Sequence, residues 1–166
     1  METIGVIGQG KLVSLLLKQE GTVLLSGDCV SPIDAVRLWR EIFFGDIDVV
    51  INFHASFDGD NIQLIQVNYD DAKVIAKVGE DTSVPVIHMT RSDDHRIITL
   101  ARNSAVLAFD RNVIMEYDDK TNVDDIVLVA RNLHKLMEED NFITKVSVID
   151  EKVVSMSVYT EDENDN

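Results

Sequence analysis

The stretch Ile4-Gly5-Val6-Ile7-Gly8-Gln9-Gly10-Lys11-Leu12-Val13-Ser14-Leu15-Leu16-Leu17 decides the fold. Its first four residues form a short apolar run that reads as a buried strand. The paired glycines read as a tight turn, and the leucine-rich run after them reads as a helix. A buried strand that leaves through a glycine turn into a helix is the opening of a βαβ unit, so the rest of the chain is read for the same alternation.

It continues. Thr22 to Leu25 makes a second short strand, closed by Ser26-Gly27-Asp28. Ser31-Pro32-Ile33-Asp34 starts a helix: serine caps, proline suits the first turn and aspartate favours the positive helix end. That helix is expected to carry Ala35, Val36, Leu38, Trp39, Ile42 and Phe43 toward the core and to stop at Gly45. Asp48-Val49-Val50-Ile51-Asn52 is a continuous apolar strand with a polar end, as in the middle of a parallel sheet. Asn61 to Gly79 is a long helical stretch and Val84 to Met89 the next strand. His95 to Phe109 is compatible with a helix or with a hairpin. Asn112 to Tyr117 reads as a strand, and Thr121-Asn122-Val123-Asp124 resembles a capping box for a helix running to Glu139. Lys145–Ile149 and Val153–Tyr159 alternate around Asp150-Glu151, a terminal hairpin. The expected architecture is α/β: a Rossmann-like three-layer fold with a mainly parallel sheet and a small C-terminal hairpin, one domain over residues 1–159. Residues 160–166 form an acidic tail expected to be disordered.

At 166 residues the chain suits one domain with a sizeable core. Its net charge of −15 argues against direct binding to nucleic acid or anionic lipid. The charge fits a solvated acidic surface; it also fits an inhibitor or nucleic-acid mimic that occupies a basic groove. The single cysteine, Cys29, cannot form an internal disulfide, which points to a reducing, cytoplasmic setting. No leader pattern opens the chain and no apolar run is long enough to span a bilayer. His54, His88, His95 and His134 are scattered without metal-ligand spacing, so no metal is expected.

Gly8-Gln9-Gly10-Lys11-Leu12-Val13 matches the GxGxxG pattern at two glycines of three. The first glycine permits the turn, and the second lets backbone approach a pyrophosphate at the helix N-terminus. Gly8, Gly10, Lys11 and Leu12 are therefore candidate cofactor contacts, Lys11 as a phosphate neutraliser or as a solvent-facing lysine. Val13 replaces the third glycine and is expected to push the helix outward or crowd a ligand. The turn is read either as a nucleotide site or as an inherited turn that serves packing. Asp28, 18 residues after Gly10, stands near where an acid meets the adenosine ribose or the adenine; it also reads as a loop acid.

Asp48-Val49-Val50-Ile51-Asn52-Phe53-His54-Ala55, Val67-Asn68 and Val86-Ile87-His88-Met89-Thr90-Arg91-Ser92 together resemble the extended short-chain dehydrogenase/reductases, in particular dehydrorhamnose reductases and sugar-nucleotide epimerases. The family's fourth strand ends Asn-x-Ala-Ala, and this one ends Asn52-Phe53-His54-Ala55. The family's long helix carries Val-Asn, matched by Val67-Asn68. Its fifth strand ends in a hydroxyl-bearing segment, matched by Thr90 and Ser92. Asn122-Val123-Asp124-Asp125-Ile126 is similar to a segment that opens a late family helix. The resemblance covers most of residues 3–140. It implies NAD or NADP as cofactor, with Asn52, His54, Ala55 and Thr90 among its contacts, and a homodimer through the helix over 61–79 and its neighbour after residue 93.

The departures weigh against catalysis. The family's acid/base is Tyr-x-x-x-Lys on the helix after the fifth strand, where lysine lowers the tyrosine pKa. After Ser92 the tyrosines are Tyr117 and Tyr159, and neither has lysine four residues on. Tyr69 and Lys73 have the spacing but lie one helix too early. About 50 residues follow Tyr117, too few for the family's substrate lobe. No catalytic residue is therefore assigned. The leading expectation is a non-catalytic module that acts through protein contacts, with NAD(P) or nucleotide binding retained or lost. The alternatives are a minimal NAD(P)-dependent reductase or epimerase on a nucleotide sugar, using Thr90, Ser92, His54 or His88, and the acidic inhibitor.

Overall fold

The computed structural model describes residues 2–25, 32–53, 62–91, 106–118 and 120–157; the side chains of residues 32, 33, 62–71 and 91 lie outside that description. The elements in chain order are β1 (Ile4–Ile7), α1 (Lys11–Leu16), β2 (Thr22–Leu24), α2 (Pro32–Phe44), β3 (Val49–Asn52), α3 (Ile62–Thr82), β4 (Val86–Arg91), β5 (Asn112–Tyr117), α4 (Val123–Glu139), β6 (Ile143–Ile149) and β7 (Lys152–Ser157). The seven strands form one sheet in the order β2-β1-β3-β4-β5-β6-β7. All neighbours are parallel except the closing β6–β7 hairpin. The expected Rossmann-like three-layer fold is what the chain adopts.

Strand alternation sorts the side chains into two cores. Ile4, Val6, Val49, Ile51, Ile87, Met89, Val113 and Met115 face α1 and α4. Ile7, Val50 and Val86 face α2 and α3, where Leu38, Ile42, Ile75 and Val78 cover them. Strands buried on both faces read as near-continuous apolar runs, which explains the uninterrupted Val49-Val50-Ile51 run.

Two local details differ from the sequence reading. Val36 and Phe43 of α2 are exposed (55% and 57%) and Trp39 sits at the rim, so they do not enter the core. At 100° per residue only the stripe through Ala35, Leu38 and Ile42 can face the sheet, whatever the hydrophobicity of the rest. The cap of α4 is Asn122, whose Oδ1 accepts the Asp124 N–H at 2.9 Å; Thr121 instead bonds Asp118 in the preceding turn. The Val13 side chain is 3% exposed and packs into the core shared with β1 and α4. The hairpin turn at Asp150-Glu151 places both residues at positive φ (51° and 65°), the left-handed pair that suits a two-residue connection. Of the stretch left open between helix and hairpin, residues 92–105 lie outside the described residues; Val106 and Leu107 are helical.

Gly79 is a point of close helix–strand packing. A Cβ placed there would run into the Val86 side chain and approach the Val84 carbonyl to 3.1 Å, so α3 lies tightly against β4.

Candidate functional site

In a sheet of this order, the connections leaving β1 and β3 pass to opposite faces, and a crevice opens between them at the carboxyl ends of the strands. One side of that crevice is the Gly8-Gln9-Gly10 turn. Gly8 and Gly10 have φ of 125° and 126°, conformations that a side chain disfavours. A Cβ at Gly10 would meet nothing within 4 Å among the described residues, which leave the space in front of this backbone open. Lys11 is exposed beside it and Leu12 half-buried. The other side begins at Asn52 and Phe53, where the Phe53 N–H donates to the Ile7 carbonyl at 2.8 Å and extends the β1–β3 ladder by one bond.

Behind the crevice lies a buried polar row on the sheet face turned to α3. Asn52 pairs in register with His88, and both are fully buried. The Asn112 Nδ2 donates to the carbonyls of Asp110 (2.9 Å) and Ala76 (3.2 Å), which leaves its Oδ1 to accept from His88 Nε2 at 2.6 Å. His88 therefore carries its proton on Nε2, and its bare Nδ1 accepts from Asn52 Nδ2 at 3.1 Å. The network holds a neutral imidazole and ties three strands and α3 together. It also occupies both ring nitrogens, which disfavours proton transfer to a bound molecule.

Thr90, two residues further along β4 on the same face, is 2% exposed, and its hydroxyl has no hydrogen-bond partner among the described residues. A buried hydroxyl left so costs about 1–3 kcal/mol, and such groups attract water or ligand. On the opposite face, Phe53 and Tyr117 meet edge to face with ring centroids 5.5 Å apart. They close the apolar layer under the carboxyl ends, and the tyrosine points into the core.

The structure thus brings Gly8, Gly10, Lys11, Leu12, Asn52 and Thr90 to one edge of the sheet. Asp28, His54, Ala55 and Ser92 lie outside the described residues, as does the Tyr69 side chain; Lys73 is exposed on α3. Asn112 escaped the sequence reading. A polar residue at one end of an apolar strand, with a histidine inside the neighbouring strand, was the available signal. Among the described residues no cluster of three His, Cys, Asp or Glu side chains can hold a metal ion, and no helix is long and apolar enough to cross a membrane. A cavity of about 470 Å³ opens at the other end of the sheet, lined by residues including Arg111, His134 and Glu138, away from this edge.

No family model matches the chain, and none of the curated proteins matches it. The strand order adds a physical point about the resemblance drawn from the motifs. Dinucleotide-binding sheets place two strands beyond β1 and their fourth strand beside it. Here one strand, β2, lies beyond β1, and β3 takes the neighbouring place.

Proposed function

We propose that this chain is a non-catalytic, Rossmann-like module, derived from the extended short-chain dehydrogenase/reductase pattern, that works in the cytoplasm through protein contacts. The observation that carries the reading is the fate of its proton-transfer groups. Tyr117 is turned into the core against Phe53. His88 has both nitrogens engaged by asparagines. The lysine four residues after a tyrosine is missing from the second half of the chain. A purified sample that oxidises NADPH in the presence of a nucleotide sugar, and loses this activity on Gly10→Asp, would overturn it.

A retained nucleotide is the second part of the reading, favoured by the open space before Gly10 and the unpartnered Thr90 hydroxyl. Backbone approach at Gly10 would receive the pyrophosphate, with Lys11 as counter-charge. Thermal-shift titration with NAD, NADP and nucleotide sugars tests it. A stabilisation that saturates, and that Gly10→Val removes, is expected; a melting curve unmoved at millimolar ligand removes this part.

A further inference from the structure

The sheet ends at β7 in an open edge. Among the described residues no other strand pairs with its outer side, where every second residue turns a backbone N–H and C=O away from β6. Edge strands of soluble proteins are blunted by shortness, charge, proline or a bulge. The opposite edge, β2, is three residues long and follows that rule. β7 does not. After Lys152 it runs Val153-Val154-Ser155-Met156-Ser157 without charge or proline, and the irregularity of the β6–β7 ladder falls in β6, between Ile143 and Lys145.

A groove lies beside this edge. A cavity of about 330 Å³ opens between α4 and the start of β7, and Leu128, Leu136 and Val153 form its apolar part. Strand alternation turns Val154 and Met156 to the other face of the sheet, where they are 42% and 44% exposed. The six-residue edge, about 20 Å long, thus has apolar surface on both of its faces.

We infer that β7 receives an extended segment of another polypeptide as an eighth strand of the sheet. Backbone hydrogen bonds to β7 hold the segment, and its alternate side chains enter the groove beside α4. The inference rests on the part of the proposed function that has the chain act through protein contacts, and it names the place and the chemistry of the partner. NADPH turnover bears on the absence of catalysis and leaves this edge untouched, so the two readings fail separately.

Charge selects the occupant. Lys135 and Lys152 balance Glu139 and Glu151 along the groove, which suits an uncharged middle for the segment. Glu138, Asp140 and Asp150 stand next to those acids in the chain, Glu161-Asp162-Glu163 follow the strand, and the whole chain carries −15. Basic flanks on the segment are therefore favoured. A second copy would bring the same acids to the same edge, so the charge points to a foreign segment with apolar residues in alternation and lysine or arginine at its ends.

The test is a titration of the nitrogen-15-labelled full chain with a nine-residue peptide of alternating valine and threonine, flanked by two lysines at each end. Amide shifts that saturate below about 1 mM are expected on β7 and on the Leu128–Glu139 stretch of α4. The same peptide with glutamates as flanks should bind at least tenfold more weakly. Leu128→Lys, which sets a cation in the groove, should weaken the lysine-flanked peptide at least tenfold. A peptide N-methylated at its five central residues tests strand pairing on the unaltered chain and should not bind. Amide shifts that are absent at millimolar peptide, or that fall away from β7 and α4, overturn the inference. So does undiminished binding of the methylated or the glutamate-flanked peptide, or a dimer of the free chain joined through β7.

Discussion

The ring of Phe53 meets the ring of Tyr117 edge to face at 5.5 Å, although β4 separates the strands at whose ends they stand. The pair reaches across β4 and closes the α1–α4 core beneath the crevice. Aromatic pairs of this geometry contribute about 0.5–1.5 kcal/mol beyond the area they bury. Phe53→Leu and Tyr117→Leu should each destabilise the domain. A double-mutant cycle by urea denaturation should recover a coupling of about 1 kcal/mol, and strict additivity would show that the two rings do not support each other.

The His88 ring is held between Asn52 and Asn112. Nitrogen chemical shifts of its ring should show a protonated Nε2 and a bare Nδ1, since Asn112 Oδ1 and Asn52 Nδ2 permit only that arrangement. Asn112→Ala leaves the His88 donor and two backbone carbonyls without their partner. It should cost about 2–4 kcal/mol in chemical denaturation. A loss below 0.5 kcal/mol, on the scale of a surface change, would contradict a connected network.

Thr90→Val should raise the melting temperature by about 1–4 °C, because it replaces an unpaired buried hydroxyl with a methyl of the same shape. If the crevice takes a nucleotide, the same variant should also weaken the ligand-induced thermal shift, so that stability and binding move in opposite directions. A fall in melting temperature would mean that the hydroxyl has a partner in solution.

Gly79→Ala separates helix propensity from packing. Propensity alone favours alanine by about 1 kcal/mol in a helix interior. The added methyl meets Val86 and the Val84 carbonyl, so a net destabilisation of about 1–3 kcal/mol is expected. A stabilised variant would show that α3 can lift from β4 freely.

Sequence alone made the sheet legible wherever strands are buried on both sides. Val49-Val50-Ile51 and Val113-Ile114-Met115 admit few other readings, and Gly8 and Gly10 do adopt the positive φ expected of the turn. It was less informative where one property served two ends. The α2 helix has apolar residues on more than one stripe, so composition could not say which of them faces the sheet; geometry settled it in favour of Leu38 and Ile42. The motif gives Val13 as a residue type but not a direction, and only the structure shows that its side chain enters the core. Gly79 read as the end of a helix, whereas its neighbour Val86 makes it a contact point. Asn112 could not be recognised as the partner of His88, because the connection between residues 24 positions apart exists only after β4 and β5 align.

The placement of β1 also sets a timetable. Apart from the terminal hairpin, every pair of adjacent strands is joined through a long excursion of chain; Thr3 and Asp48, at the ends of β1 and β3, hydrogen-bond across 45 residues. The first strand synthesised must wait for the third before it is enclosed, and closing each such loop costs entropy before any contact repays it. Refolding should accordingly be slow for a domain of this size, with the β6–β7 turn acquiring amide protection before the middle of the sheet does.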